Sequence, residues 1–291
     1  MAESKQSGLF SYATRQRVAN AIESPYIVHL TIAVGVLSVL VPLLWTFLTS
    51  LKTESAVYSL TYLPENPTLQ PYYSALFEEG YWRALLNSVI ISTTTTVLVL
   101  LLATPAGYAF SRYRFPFDSE IFILVLFSRL FPPIGLVIPF FEILGWVGLI
   151  NTRAGIIIAN VYLWLPLMVY ILRNFFMSVP EELDESALVD GCTQFQAFKE
   201  IALPLALPGV AACGILTFLY SWREFLFALI TSNTLQSMPV SVSVYKFVGD
   251  VSVSWASLSA ASILAILPTV AVVVFFQRYI VSGLTSGALK G

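Results

Sequence analysis

Charge is scarce in this chain. Asp, Glu, Lys and Arg supply 11% of its 291 residues, whereas an average soluble domain carries about 25%. Apolar character is spread along the chain, which argues against a soluble domain on one anchor and for a bundle of membrane helices. Net charge is −2, so no basic surface points to nucleic acid as a partner. Histidine occurs once, as His29, in an apolar run with no second ligand or nucleophile near it. A packing or interface role suits it better than catalysis. The two cysteines, Cys192 in a polar loop and Cys213 in an apolar segment, make neither a disulfide framework nor a metal-ligand spacing. A Walker-type phosphate loop ends in Gly-Lys-[Ser/Thr], and none of the five lysines follows a glycine. The chain has no means of hydrolysing ATP by itself.

What it has is apolar length. A membrane helix needs about 20 largely apolar residues, and six segments meet that test: 27–48, 84–111, 121–141, 154–172, 205–230 and 251–277. The expectation is an all-α, polytopic membrane protein with six transmembrane helices. The polar stretch 1–26 reads as an N-terminal tail, and the run after it is too long for a signal-peptide core of about 7–15 residues. It is expected to stay as the first helix. Six spans put both termini on one side. Placing them in the cytoplasm leaves nine basic residues inside (Lys5, Arg15, Arg17, Arg112, Arg114, Arg173, Lys199, Arg278, Lys290) against four outside (Lys52, Arg83, Arg153, Lys246). The positive-inside rule selects that orientation.

Three charges remain inside the spans: Arg129, Arg223 and Glu224. Intramembrane charges are costly and are functional candidates for that reason. With Trp222 they are candidates for lining a path for a hydroxylated solute, the alternative being membrane-edge or partner-helix contacts. Arg223 and Glu224 are chain neighbours, about 100° apart on a helix, and poorly placed to pair with each other.

The loop between the fourth and fifth spans, residues 178–204, carries the most information. Its expected form is two capped helices joined by a glycine turn. Ser178 and Glu181 have capping-box spacing, as do Thr193 and Gln196. Glu181, Glu182 and Asp184 place negative charge at the positive end of the first helix, and Gly191 is set to end it in a left-handed cap. Such a knob can pass a rigid-body push from a soluble partner to the spans.

The same loop resembles the binding-protein-dependent permeases of ABC importers, which carry E-A-A, three residues, G, nine residues, I-x-L-P. Glu185, Ser186, Ala187, Gly191, Ile201, Leu203 and Pro204 match that spacing, with Ser186 in place of an alanine. Further resemblance narrows the match to the sugar-importer branch of the maltose-permease type, in its shorter six-span subunit. It lies in the stretch after Leu144, with Gly148, Asn151 and Thr152 in GLINTRAGIII, in SWREFLFAL, where Arg223 stands where Asn is common, and in the tail RYIVSGLTSGALKG.

The resemblance implies a type I ABC importer permease fold in a prokaryotic cytoplasmic membrane. It implies a second permease subunit, two ATPase subunits that use ATP and Mg, and an extracytoplasmic sugar-binding protein, with no cofactor on this chain. It places Glu185, Ala187 and Gly191 in a helix docking into the ATPase, and the tail positions Gly283, Ser286, Gly287 and Lys290 (residues 278–291) at the same interface. Amino-acid, phosphate and metal importers share the loop motif, so a non-sugar solute is the nearer alternative. An ion-driven transporter needs a carboxylate relay or discontinuous helices at mid-membrane, and only Glu224 fits.

Overall fold

A computed structural model describes residues 25–59, 61–248 and 253–288, with side chains of the last helix described as far as Gln277. The expected tail 1–26 therefore lies outside the described residues, except for its last two. The described residues are predominantly helical. The only β pairing among the described residues is an isolated bridge between Val248 and Val253.

We name the principal helices in chain order: α1 (Pro25–Ser50), α2 (Tyr81–Arg112), α3 (Asp118–Phe127), α4 (Pro133–Trp146), α5 (Arg153–Ser178), α6 (Glu181–Val189), α7 (Leu203–Trp222), α8 (Leu226–Thr231) and α9 (Trp255–Ala288). Among the described residues five helices are long and apolar enough to cross a membrane, and the bent pair α3–α4 makes a sixth crossing if counted as one span.

Two expected spans are broken. Residues 121–141 do not form one helix, because α3 and α4 meet at 98°. Phe131 and Pro132 are extended between them (ψ 125° and 128°), as a residue before proline prefers to be, and both Pro132 and Pro133 lack the N–H that would carry a helix through. The fifth span, expected over 205–230, stops at Trp222 and resumes as α8. Its start differs as well. Gln194–Ala197 and a π turn, Phe198–Ala202, lead without a bend into α7, giving one helical rod, Gln194–Trp222, of 29 residues. The π turn precedes Pro204, whose missing N–H cannot serve an ordinary helical ladder. Trp255–Ala288 likewise continues past the expected end at 277, so Gly283, Ser286 and Gly287 sit on helix rather than on a separate tail. Lys290 lies outside the described residues.

The core is the face shared by α2, α5 and α7. Val99, Ala103, Tyr108, Met168, Leu172, Phe176, Ala206 and Cys213 form one buried cluster there. Lipid tails are as apolar as leucine, so helices associate through close packing of small residues. Ala103 and Gly107, one turn apart, provide the contact. A Cβ on Gly107 would lie 2.9 Å from Arg173 N and from Leu172 Cβ. In contrast α1 buries only its last residues, Thr49 and Ser50, and presents an apolar face all round. His29 bonds back to the Pro25 carbonyl of that helix.

The connections are fixed by polar caps. The Glu54 carboxylate accepts the N–H groups of Ala256 and Ser257 at 3.3 and 3.0 Å, closing the first turn of α9. Before α5, Gly148 and Asn151 take positive φ (71° and 59°). Asn151 N–H donates to Thr231 O and its Oδ1 accepts from Asn233 N. Thr152 caps α5 by accepting from Gly155 N at 3.1 Å. This turn thus ties α5 to the end of α8.

Gly107→Leu forces α2 and α5 apart. Overpacking of this kind costs about 1–3 kcal/mol, so the variant purified in detergent should unfold at a lower temperature than the parent. An unchanged transition would show that the α2–α5 contact is not close.

Candidate functional site

Two places in the molecule can act: the α6 knob beyond the bundle, and the breaks inside it.

At the knob, α6 begins after Pro180 with no side-chain cap, and Ser178 instead donates its hydroxyl to Phe175 O. The expected Ser178–Glu181 box does not form because α5 runs through Ser178. The Thr193–Gln196 box does form, with both hydrogen bonds present. α6 ends as expected at Gly191, φ +93°. Gly191 N bonds Leu188 O at 3.1 Å and Cys192 N bonds Ala187 O at 2.9 Å, the paired bonds of a Schellman cap.

The motif residues divide by face. Ala187 is buried (4% exposed) against the rest of the chain, while Glu185, Ser186 and Gly191 face outward beside Val189, which is 88% exposed. Ile201 and Leu203 are half-buried on the helix leading into α7, and Pro204 is exposed at its first turn.

What holds α6 in place is a pair that sequence reasoning did not find. Arg112, the last residue of α2, donates from Nε to Asp184 Oδ2 at 2.6 Å and from Nη2 to Val179 O at 2.8 Å. Both side chains are buried, at 6% and 9% exposure. Glu181 is also near Arg112, at 3.7 Å, but is mostly exposed and adds little. Tyr113 donates to Gln194 Oε1 at 2.9 Å, joining the end of α2 to the start of the 29-residue rod. Arg112 registered in the sequence only as an inside positive charge, and Asp184 only as a dipole partner.

Inside the bundle, the expected path residues separate. Trp222 is buried and donates Nε1–H to Ala265 O at 3.2 Å, which attaches α7 to α9. Glu224 is 8% exposed and its carboxylate accepts from Phe227 N at 2.8 Å and Ala228 N at 3.1 Å. It satisfies the free N–H groups of α8's first turn, so its role is to restart the helix after the break. Arg129 and Arg223 are exposed on the single chain. Each lies over an aromatic ring, Arg129 over Trp164 at 5.7 Å and Arg223 over Tyr220 at 4.9 Å. Trp164 and Tyr220 are themselves stacked, with centroids 4.4 Å apart and planes 17° apart. The structure therefore joins Arg129 and Arg223, which the sequence left unconnected, through two rings that the sequence did not single out.

A multi-span bundle with a clamped knob beyond it and charged breaks within its spans is consistent with a membrane transport subunit. Its relatives make the class specific. The chain belongs to the family described as binding-protein-dependent transport system inner membrane component, whose model matches residues 101–286. It is similar to the sulfoquinovosyl glycerol transport system permease protein SmoH of Agrobacterium fabrum, 37% identical over 87% of this chain and 89% of that one. The trehalose transport system permease protein SugB of Mycobacterium tuberculosis is 36% identical over 87% and 93%. The trehalose/maltose transport system permease protein MalG of Thermococcus litoralis is 34% identical over 87% and 92%. In fold it resembles a chain of a bacterial ABC transporter that imports the acidic polysaccharide alginate, with TM-score 0.78, 21% identity, and coverage of 91% of this chain and 97% of that one. The protein is a permease subunit of an ABC importer, with the type I fold.

Removing one member of a buried ion pair leaves the other charged and unpaired, at a cost of about 3–5 kcal/mol. Asp184→Ala should therefore release α6 from α2, seen as faster amide hydrogen exchange over Glu181–Val189. The double variant Arg112→Met, Asp184→Leu should recover much of the protection, as apolar replacement of both partners removes the stranded charge.

Proposed function

We propose that this chain is one of two different permease subunits of an ATP-driven sugar importer. It forms part of the translocation path and couples it, through α6, to separate ATPase subunits. The single observation that carries the coupling role is the division of the motif residues. Glu185, Ser186 and Gly191 face away from the bundle, while Ala187 is buried and Asp184 locks α6 onto α2. A helix held by a buried ion pair on one face and open on the other is built to receive a partner and to move with the spans.

In this reading the outer face of α6 enters a cleft on an ATPase, with Glu185 as its polar contact. The end of α9, with Gly283, Ser286 and Gly287, and the tail residue Lys290 beyond it reach the same interface. ATP and Mg belong to the ATPases, and this chain supplies no cofactor. The excess of basic residues at the α6 end supports an orientation with that end and both termini in the cytoplasm, and the relatives support a prokaryotic membrane, which leaves Arg83 and Arg153 on the side where a sugar-binding protein delivers cargo. Sugar as the cargo class is supported by the relatives, whose names specify trehalose, maltose and sulfoquinovosyl glycerol.

Affinity purification of the chain from its native membrane tests the assembly. Recovery of a second permease with an ATPase supports it, whereas a chain that purifies alone and moves sugar on an ion gradient overturns it. Gly191 tests the coupling. No atom lies within 4 Å of a Cβ built there, so Gly191→Ala adds only left-handed strain, about 1–2 kcal/mol. Gly191→Trp adds bulk that projects outward. Insertion should survive in both, while ATP-dependent uptake falls at least tenfold in the Trp variant only. Normal uptake by Gly191→Trp would remove α6 from the coupling role.

A further inference from the structure

The four side chains Arg129, Trp164, Tyr220 and Arg223 form a ladder in which each guanidinium covers one face of a stacked aromatic pair. Three features set it apart from ordinary packing. Neither arginine forms an ion pair with a carboxylate among the described residues. The adjacent carboxylate, Glu224, has both oxygens engaged by Phe227 and Ala228 N–H groups. The ladder also lies far from either end of the α5 span. Trp164 is eleven residues into the 26-residue α5, about 17 Å along its axis, near its middle. A guanidinium at that depth cannot face lipid without a large penalty and is expected to line an aqueous path or meet a partner.

The chemistry around Arg223 favours a solute. Beside it opens a cleft of about 440 Å³ lined by Trp222, Phe225, Ser241, Ala265 and Thr269, a size within the range of about 300–1,000 Å³ typical of small-molecule sites. Aromatic and aliphatic faces suit the apolar face of a pyranose, and the Thr269 hydroxyl suits its polar edge, Ser241 already donating to Glu224 O. Guanidinium adds what a neutral sugar does not need, a planar, permanently charged fork matched to carboxylate, sulfonate or phosphate.

Building on the import reading above, we propose that the ladder is a recognition site within the translocation path for an acidic sugar, a glycoside bearing a carboxylate, sulfonate or phosphate group. Arg223 meets the oxyanion at the cleft, and Arg129, on the far side of the aromatic pair, adds a second positive charge nearby. The rings hold both guanidiniums in place without neutralising them, so the anion can be bound and then released.

The test uses the complete importer with its binding protein and ATPases in proteoliposomes. The radiolabelled probes are glycosyl glycerols and disaccharides, each supplied as the neutral sugar, the uronate, the 6-sulfonate and the 6-phosphate. Uptake confined to acid-bearing probes supports the site, and the acid accepted identifies the oxyanion. Arg223→Asn should then lower that uptake tenfold or more, with Arg223→Lys intermediate because it keeps the charge and loses the fork. Uptake of neutral probes with the acidic ones ignored would overturn the acidic-sugar site and leave sugar import standing. Loss of the second permease from purified Arg223→Asn complexes, with neutral sugar transported by the parent, would also overturn it by assigning the arginine to a subunit interface. ATP-dependent uptake of no sugar at all would defeat the import reading itself and this site with it.

Discussion

A bilayer offers no water to a backbone, so every N–H and C=O inside it must find a partner within the protein. That constraint explains both the helical form of this chain and the manner of its two breaks. Where α3 gives way to α4, prolines at 132 and 133 remove donors that would otherwise be stranded, and Gly135 N closes the new turn on Pro132 O at 2.9 Å. Where α7 gives way to α8, the Glu224 carboxylate accepts the exposed amides at 2.8 and 3.1 Å. One break is resolved by deleting donors and the other by supplying an acceptor. In each, an arginine lies at the interruption and is held by an aromatic ring rather than by a counter-charge.

The small residues of the α2–α5–α7 face are what allow these breaks to coincide. Gly107 brings α2 against Leu172 of α5, and Cys213 and Ala206 bring α7 into the same cluster. With the three backbones this close, Trp164 on α5 and Tyr220 on α7 can stack face to face. Larger residues in the interface would part the helices and separate the rings, and with them the two guanidiniums. The packing of the core and the electrostatics of the path are therefore one arrangement.

Much of this was legible in the sequence, and what was hidden has a common cause. Apolar runs located the spans because membrane length is a local property. The Thr193–Gln196 box and the Gly191 cap were legible because each is complete within a few residues. The Ser178–Glu181 box failed because α5 did not stop where its apolar run did, a matter of helix propagation that no capping pattern registers. Pro132 and Pro133 were a visible signal for a broken third span, yet the apolar run on both sides outweighed them in a length-based reading. The Arg112–Asp184 and Trp164–Tyr220 contacts join residues far apart in the chain. Each partner had a sufficient local explanation: Arg112 as an inside charge, Asp184 as a dipole partner, the two aromatics as ordinary membrane residues. Only the fold relates them.

The continuity of the rod Gln194–Trp222 connects the two places where the protein can act. Its first turn carries the capping box beside the knob, and Gln194 accepts from Tyr113 at the end of α2. Its last turn carries Tyr220 and ends at the break with Arg223. Twenty-nine helical residues span about 44 Å, and an α-helix of that length transmits displacement better than any loop. A push on α6 reaches α2 through the buried Arg112–Asp184 pair and reaches the rod through the short Gly191 turn. Both helices move the faces that hold Tyr220 against Trp164. Under the proposed coupling, α6 thus acts on the ladder through the α2–α5–α7 core, and stacking, which tolerates sliding far better than a hydrogen bond does, is the contact suited to surviving that motion.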